Sequence, residues 1–229
     1  MKIIGLNFGR VKGQNRGSID RVLAACEAAG AETKRIDAMQ YYFGPVQPED
    51  PEIVPQDDFE TVLSEILDCD GLVVGCPVYA IQPTGQFKSF VDRIAAKYQM
   101  ASGAPIRKEP LGPKYISYIS LGGARDHHWV SMSMPMMKML GNVLGCSEID
   151  EMDVNGHPPY PKDLQKMAEA MTSAIQNLDG TYKGSHAGAC PVCHADFVTI
   201  VSGTDVICPV CGNKGKMIFE GDSVRIVFE

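Results

Sequence analysis

Four cysteines near the C-terminal end of the sequence have the residue type and spacing of a metal site. Cys190 and Cys193 form one Cys-x-x-Cys pair, and Cys208 and Cys211 form a second, with a proline and a valine inside each pair. Two intervening residues let both sulfurs of a pair face one ion while backbone N–H groups donate to them. The residues between the pairs, 194–207, are enough for one hairpin. We therefore predict a four-thiolate metal site in a small module.

The identity of that metal depends on which known cysteine module the segment resembles. Tetrahedral thiolate sites hold zinc or iron. The hairpin spacing resembles a zinc ribbon, in which zinc is structural. Residues 208–214 also resemble the second knuckle of a rubredoxin, but His194 stands where the first knuckle of that family has glycine. We predict zinc, with a mononuclear iron centre as the alternative, since iron would make the module an electron-transfer partner.

The remaining cysteines indicate packing rather than chemistry. The sequence has eight cysteines in all, and the four outside the pairs are scattered among apolar or helical patterns. Free cysteine behaves as a small buried hydrophobe. Clustering in pairs indicates metal binding rather than disulfides in an intracellular chain. The four expected to be buried are Cys26, Cys69, Cys76 and Cys146.

Composition limits the partners and the compartment. The 229 residues are 45% hydrophobic and carry a formal net charge of -7. An acidic balance argues against binding to nucleic acid or to anionic lipid, which calls for a basic surface. The apolar run at residues 3–6 is too short for a signal-peptide core, and no apolar stretch reaches the ~18–20 residues that cross a bilayer. We expect a cytoplasmic protein that binds neither nucleic acid nor membrane.

The first 180 residues alternate strand and helix patterns. Such alternation predicts an α/β domain with a parallel sheet and helices on both faces. Right-handed crossovers leave few topologies, and the flavodoxin-like doubly wound order 2-1-3-4-5 is the expected one. The five predicted strands lie at 3–8, 31–36, 71–76, 114–121 and 148–154.

A glycine-rich stretch separates this region from the cysteine module. Residues 180–188 contain three glycines, a serine and a histidine, a composition typical of a linker. The predicted organisation is a domain over 1–180, a linker over 181–188 and a β-rich module over 189–229. Strand patterns in the module lie at 197–201, 217–219 and 224–228.

The loop that follows the first strand has the composition of a phosphate site. Loop 9–18 leads into a helix N-terminus, whose N–H groups and dipole favour an anion. Arg10, Asn15 and Ser18 add donors, and Gly17 allows close backbone approach. The loop is neither a Walker A motif nor Gly-x-Gly-x-x-Gly, so a polar surface turn is the alternative. Ser18 is also the expected N-cap of the helix.

Two further segments resemble a known family. Residues 70–79 end in Gly-Cys-Pro-Val-Tyr, and residues 85–93 read Gly-Gln-Phe-Lys-Ser-Phe-Val-Asp-Arg. They resemble the Gly-Ser-Pro-Val-Tyr turn and the Gly-x-x-Lys-x-Phe-x-Asp-Arg helix of NAD(P)H-dependent FMN reductases and iron–sulfur flavoproteins. The resemblance covers residues 1 to about 180.

The resemblance implies where FMN binds. The first loop would hold the phosphate, the turn after the third strand would contact the isoalloxazine ring, and loop 120–125 would line its other side. A flavin ring needs a flat apolar wall and donors at its polar edge. The implied FMN-binding residues are Arg10, Asn15, Gly17, Ser18, Pro77, Val78, Tyr79, Gly122, Gly123, Ala124 and Arg125.

The sequence also departs from this family. Asn7 to Arg10 stand where the family has Ser-x-Ser-Pro-Arg. The iron–sulfur branch carries its cysteines in the loop after the second strand, but residues 38–56 contain none. This excludes a [4Fe–4S] cluster in that loop.

His127 and His128 follow the third loop. One reading is a contact to substrate or nicotinamide, or a part in proton transfer. The other interpretation is that these residues begin a helix and that Trp129 packs in the core. The methionine-rich run from Met132 to Met139 indicates core or subunit packing, because methionine fills irregular apolar gaps.

Three functions follow as hypotheses. The first is an FMN-dependent oxidoreductase that passes electrons from NAD(P)H to a quinone, a flavin or a protein acceptor. The flavin performs that chemistry, so no catalytic side chain is predicted. The second is an electron carrier between FMN and an iron centre, and the third is a zinc-ribbon adaptor without enzymatic activity. The resemblance also implies a homodimer or homotetramer.

Overall fold

The structure is a computed structural model that describes residues 1–46, 57–98, 109–125, 129, 131–184 and 189–229. The chain divides into two compact units, Met1–Gly184 and Ser185–Glu229.

The larger unit alternates strands and helices. Its regular elements are β1 (Lys2–Asn7), α1 (Gln14–Ala28), β2 (Glu32–Asp37), α2 (Phe59–Leu67), β3 (Gly71–Tyr79), β4 (Gln82–Pro83), α3 (Gly85–Tyr98), β5 (Tyr115–Gly122), α4 (Ser133–Leu144), β6 (Ser147–Asn155) and α5 (Pro161–Asn177).

The sheet confirms the predicted architecture. Its order is β2-β1-β3-β5-β6, all pairs parallel, which is the expected 2-1-3-4-5 order when the short β4 is set aside. β4 pairs antiparallel with β3 and forms a hairpin at the end of that strand. The carboxyl ends of β1, β3 and β5 therefore lie side by side at one edge.

Each face of the sheet buries its own core. Ile4 and its neighbours pack with α2, α3 and α4, whereas Ile3 packs with α1 and α5. Successive side chains of a strand point to opposite faces, so one apolar run supplies both cores. This explains why the strand patterns are continuous rather than alternating.

The first helix begins earlier than the sequence predicts. Gly13 is the N-cap of α1, and Ser18 lies inside the helix, where its Oγ donates to the Gln14 carbonyl at 2.9 Å. Serine bonds to a preceding helical carbonyl almost as readily as it caps. The prediction of Ser18 as the N-cap is therefore wrong. Thr84 caps α3, since its Oγ1 accepts from the Phe87 N–H at 3.3 Å.

A buried ion cluster joins α4 to β6. Lys138 is 2% exposed and pairs with Glu148 at 3.1 Å and with Glu151. Two glutamates three residues apart in a regular strand would face opposite ways. The pairing of β5 with β6 shifts register after Ile116, so that Ile149 is an extra residue on β6. This β-bulge brings both carboxylates to the same face.

The cluster predicts a pH effect on stability. Burial, followed by the Glu148 carboxyl, raises the pKa of Glu151 from 4.5 to about 7. A carboxyl whose pKa is raised by folding stabilises the fold below its unfolded pKa, and this contribution is lost as pH rises through the folded value. We expect the contribution of Glu151 to wild-type stability to fall between about pH 4.5 and 7. Glu151→Gln should flatten this slope in urea titrations at several pH values, and an unchanged slope would contradict it.

The smaller unit is a four-stranded antiparallel sheet. Its strands are β7 (Thr199–Ser202), β8 (Asp205–Ile207), β9 (Lys214–Glu220) and β10 (Ser223–Phe228), in the order β10-β9-β8-β7. The sequence analysis missed β8, which is three residues long and follows a glycine turn. Among the described residues, no helix is both long and apolar enough to traverse a lipid bilayer.

Candidate functional site

A cleft opens at the edge where β1, β3 and β5 end. It has a volume of about 380 Å³. Its walls come from the loop after β1, the turn after β3 and the end of β5, which are the three loops that the sequence singled out. The lining residues are Gly9, Arg10, Gly13, Gln14, Asn15, Pro77, Tyr79, Leu121, Gly122 and Gly123.

Hydrogen bonds fix the conformation of the first loop. Asn7 at the end of β1 donates from Nδ2 to the Asp37 carboxylate at 2.7 Å and accepts at Oδ1 from the Gly9 N–H at 2.9 Å. The Gly13 N–H then donates to the Arg10 carbonyl at 3.0 Å. This leaves the exposed Arg10 side chain and the first turn of α1 facing the cleft.

Asn15 is the most buried polar side chain of that first turn. It is 4% exposed, and its Oδ1 has no hydrogen-bond partner within the described chain. A Cβ added at Gly9 would lie 3.0 Å from the Asn15 Cβ, so the loop leaves no space there for a larger residue. The dipole and the N–H groups of this helix N-terminus favour an anionic ligand. Asn15 could contribute to it through Nδ2, which is a donor, whereas Oδ1 can only accept.

The second loop presents Pro77 and Tyr79 to the cleft. Tyr79 is 55% exposed and is followed by Ala80 and Ile81, whose φ angles are +49° and +76°. Positive φ at both central residues is typical of the turn that closes a two-residue β-hairpin, usually with asparagine or glycine there. A β-branched residue such as Ile81 is strained in this region.

The third loop contributes mainly backbone atoms to the wall of the cleft. Gly122 and Gly123 line the cleft, and the Gly156 N–H donates to the Gly122 carbonyl at 2.8 Å. Arg125 follows, and a Cβ added at Gly156 would meet its Cγ at 2.9 Å. A flat ligand can therefore approach the main chain closely on this side.

The cleft collects part of the predicted FMN set. Gly17, Ser18, Val78, Ala124 and Arg125 are not among its lining residues. His127 and His128 lie outside the described residues. Trp129 is 52% exposed, so the expectation that it packs in the core is wrong. The predicted residues that do line the cleft are Arg10, Asn15, Pro77, Tyr79, Gly122 and Gly123.

Some cleft residues were not predicted. Gly9, Gly13, Gln14 and Leu121 complete the walls. Gly13 belongs to the predicted phosphate loop and could have been included from its position before the helix. Leu121 belongs to loop 120–125, which the resemblance places beside the ring, and could have been included for the same reason.

The four paired cysteines come together in the smaller unit. The Sγ atoms of Cys190 and Cys211 are 3.5 Å apart, as are those of Cys193 and Cys208, and all four lie within 4.8 Å of one another. Tetrahedral thiolate coordination with ~2.3 Å bonds puts sulfurs roughly 3.8 Å apart. The sulfur atoms therefore have the spacing that a single zinc or iron ion requires.

The two knuckles share one backbone turn. The His194 N–H donates to the Cys190 carbonyl and the Gly212 N–H to the Cys208 carbonyl, both at 2.8 Å. The φ angles of His194 and Gly212 are +55° and +79°. Glycine adopts this region freely and histidine does so at a cost. His194 thus keeps the conformation of the glycine that it replaces.

The other cysteines are structural. Cys26, Cys69 and Cys76 are buried, and Cys146 is half-buried. Burial raises the pKa of the Cys76 thiol to about 11 and those of Cys26 and Cys69 to about 12. Such thiols stay protonated at neutral pH and are poor nucleophiles and metal ligands.

Comparison with known protein families gives one match over most of the larger unit. Residues 1–155 match the family described as NADPH-dependent FMN reductase. A curated relative, the flavone synthase cfoJ of Aspergillus candidus, is 26% identical over 184 residues. The match covers 70% of this chain and 56% of that protein, so the chain spans about half the length of this relative.

Solved structures show the same fold. A flavone reductase superposes with a TM-score of 0.80 at 24% identity, covering 100% of this chain and 81% of the other. RosB with bound 8-demethyl-8-formylriboflavin-5'-phosphate gives a TM-score of 0.56 at 17% identity over 79% and 82% of the two chains. The NAD(P)H:quinone oxidoreductase of Methanothermobacter marburgensis gives 0.53 at 15% identity over 78% and 99%.

Proposed function

The chain belongs to the NADPH-dependent FMN reductase family, and from that premise we propose that FMN binds in the cleft and passes electrons from NAD(P)H to a quinone, a flavin or a protein acceptor. The observation that carries this proposal is the convergence of three loops on one cleft at the carboxyl ends of β1, β3 and β5. Ligands of open α/β sheets bind at such edges.

The residues of the cleft suit the two ends of FMN. The N-terminus of α1, with Arg10 and Asn15, offers donors for a phosphate. Pro77 and Tyr79 offer a flat apolar wall, and Gly122 with Gly123 offers accessible backbone. Bound FMN would supply the hydride chemistry, and the protein's own contribution is binding and orientation.

The acceptor is proposed from chemistry and from the relatives. The net reaction transfers two electrons and one proton from NAD(P)H as a hydride and takes a second proton from solvent, so the acceptor gains two hydrogens. Quinones, flavins and protein acceptors satisfy this balance. Two relatives are named for flavones, which we add to the candidate acceptors because their conjugated ring carbonyl also accepts two electrons.

Arg10→Ala is expected to weaken FMN binding by ~10- to 100-fold, because it removes a charge-assisted hydrogen bond to phosphate. Lys12→Ala is the matched control, since Lys12 is an exposed cation of the same loop that does not line the cleft. Quenching of flavin fluorescence during titration with protein measures both constants. Equal losses in the two variants would contradict a specific role for Arg10.

The proposal as a whole is tested on the purified protein. A visible spectrum with flavin bands, and oxidation of NADH or NADPH that depends on added menadione or flavone, would support it. A colourless protein that fails to take up added FMN would overturn it. Comparing the two nicotinamides in the same assay decides the donor.

We also propose that the cysteine site holds a structural zinc ion. The spacing of the four sulfurs supports a single ion, and the zinc-ribbon resemblance favours zinc over iron. Metal analysis and the visible spectrum decide between them, because ferric thiolate centres absorb strongly and zinc does not. Iron together with flavin would instead support an electron carrier. Zinc without flavin would support the adaptor.

The organisation of the whole protein is proposed on the same basis. We propose that residues 1–180 form the FMN-binding domain, 181–188 a linker and 189–229 the metal module. We propose a cytoplasmic homodimer or homotetramer that binds neither nucleic acid nor membrane, supported by the net charge of -7 and the family resemblance. Light scattering on the eluted protein measures the oligomeric state.

A further inference from the structure

A second cavity adjoins the cleft at Tyr79. Its volume is about 350 Å³, and it is enclosed by the β3–β4 hairpin, α3 and α4. Tyr79 lines both spaces and is the residue that they share. The cavity contains none of the residues of the first loop or of the third loop. It therefore shares none of the proposed phosphate contacts and, of the proposed ring contacts, only Tyr79.

The walls of this cavity suit a flat apolar molecule. Val91 and Ala95 on α3 face Met136 and Met139 on α4 across it. Methionine adapts its shape and makes favourable sulfur contacts with aromatic rings. Ligand cavities of a few hundred cubic ångströms with mostly apolar linings bind small molecules of two or three rings. The size and lining therefore indicate an aromatic ligand.

The rim of the cavity carries no net charge. Lys88 and Asp92, one turn apart on α3, line it and form an ion pair with each other. Gln82 on the hairpin lines it as well. The rim thus offers hydrogen-bond donors and acceptors without favouring an ion of either sign. A neutral ligand with a hydroxyl or carbonyl group matches this arrangement.

The hairpin gives a second, independent observation. Ala80 lines the cavity, and both Ala80 and Ile81 have positive φ in a turn where glycine or asparagine would fit without strain. Backbone strain at non-glycine residues is concentrated at ligand clamps and functional sites. The strained turn fixes the position of Tyr79 between the two spaces.

We propose that this cavity is a binding site for a neutral aromatic molecule of two or three rings that carries a hydroxyl or carbonyl group. The site shares only Tyr79 with the flavin cleft, and its ligand also contacts that side chain. Binding there does not require FMN or turnover. The proposal therefore stands or falls independently of the proposed function.

The test is calorimetric titration of the full-length protein with 2-naphthol, a neutral two-ring phenol, before and after addition of FMN. Ala95→Phe should fill the cavity and weaken 2-naphthol binding by ~10-fold or more. Ala96→Phe is the matched control, because Ala96 is the next residue of α3 and does not line the cavity. It should bind like the wild type, and circular dichroism checks that both variants fold.

Three results would overturn the proposal. One is an absence of saturable 2-naphthol binding to the wild-type protein. Another is competition between FMN and 2-naphthol for one site, because the probe would then occupy the cleft. The third is light scattering that shows a dimer broken by Ala95→Phe and kept by Ala96→Phe, because a second copy would then cover this face. A protein that binds 2-naphthol but takes up no FMN would contradict only the proposed function.

Discussion

Replacing Cys208 with serine is expected to abolish binding of the proposed metal and to unfold the smaller unit, while the larger unit stays folded. Cys208 is 1% exposed, and its sulfur lies 3.5 Å from that of Cys193. Structural zinc contributes ~10–16 kcal/mol to the folding of small metal-binding modules. The smaller unit has only 45 residues, 185–229, and too small a core to replace that contribution.

The measurement has two parts. Mass spectrometry of the purified protein should find about one metal ion per wild-type chain and almost none in Cys208→Ser, since a hydroxyl is a poor substitute for a thiolate. Amide NMR spectra should lose the dispersed signals of β7 to β10 only. Cys146→Ser is the control, because that thiol donates to the Pro113 carbonyl within the larger unit and serine can keep the bond. Full metal content in Cys208→Ser would refute the four-thiolate site.

Replacing Lys138 with methionine is expected to destabilise the larger unit by ~3–5 kcal/mol, the cost of removing one partner from a buried ion pair. Methionine keeps the length and the apolar stem of lysine. It leaves Glu148 and Glu151 facing each other without a cation in a site where the lysine side chain is only 2% exposed. For a unit of this size the loss lowers the melting temperature by roughly 10 °C.

Two further variants isolate the cause. Lys166→Met changes an exposed lysine on α5 whose partner Asp163 is 3.7 Å away, and should cost less than ~1 kcal/mol. Lys138→Met combined with Glu148→Gln and Glu151→Gln removes all three charges and should recover most of the lost stability. Urea unfolding of the four proteins gives the free energies. Equal stability of Lys138→Met and the wild type would contradict the assignment of a buried ion cluster.

Periodicity explains why the sheet could be predicted. The runs at 3–8, 71–76 and 114–121 are short, apolar and separated by helical patterns, and buried parallel strands have this signature. The order then follows from the handedness of the crossovers. The start of α1 was harder to predict. Serine is a preferred N-cap residue, so Ser18 was chosen, but the helix already begins at Gln14. Local propensity is a weak guide where several residues of a loop could serve as caps.

The ion cluster could not be predicted from the sequence, for a physical reason. Glu148 and Glu151 fall in a predicted strand at a spacing that puts them on opposite faces, and Lys138 falls among methionines. Only the extra residue at Ile149 brings the two carboxylates together. A bulge depends on the pairing of β6 with β5, which no local pattern reveals.

The sequence by itself determined the cysteine cluster and the three loops of the cleft. The spacing of the two Cys-x-x-Cys pairs predicted that their four sulfurs would cluster, because the knuckle is a local structure. The three loops could be identified for the same reason, since each follows its own strand. The tertiary structure decided that Arg10, Asn15 and Tyr79 share one cleft, and that Ser18 and Arg125 are not among its lining residues.

The tertiary structure alone also showed that Tyr79 lines both the cleft and the apolar cavity. Proximity between α3, α4 and the β3–β4 hairpin results from packing on the sheet, which joins residues far apart in the chain. Local patterns in one sequence do not carry that information. The cysteine cluster could therefore be predicted from the sequence, whereas the shape of the binding spaces was set by the fold.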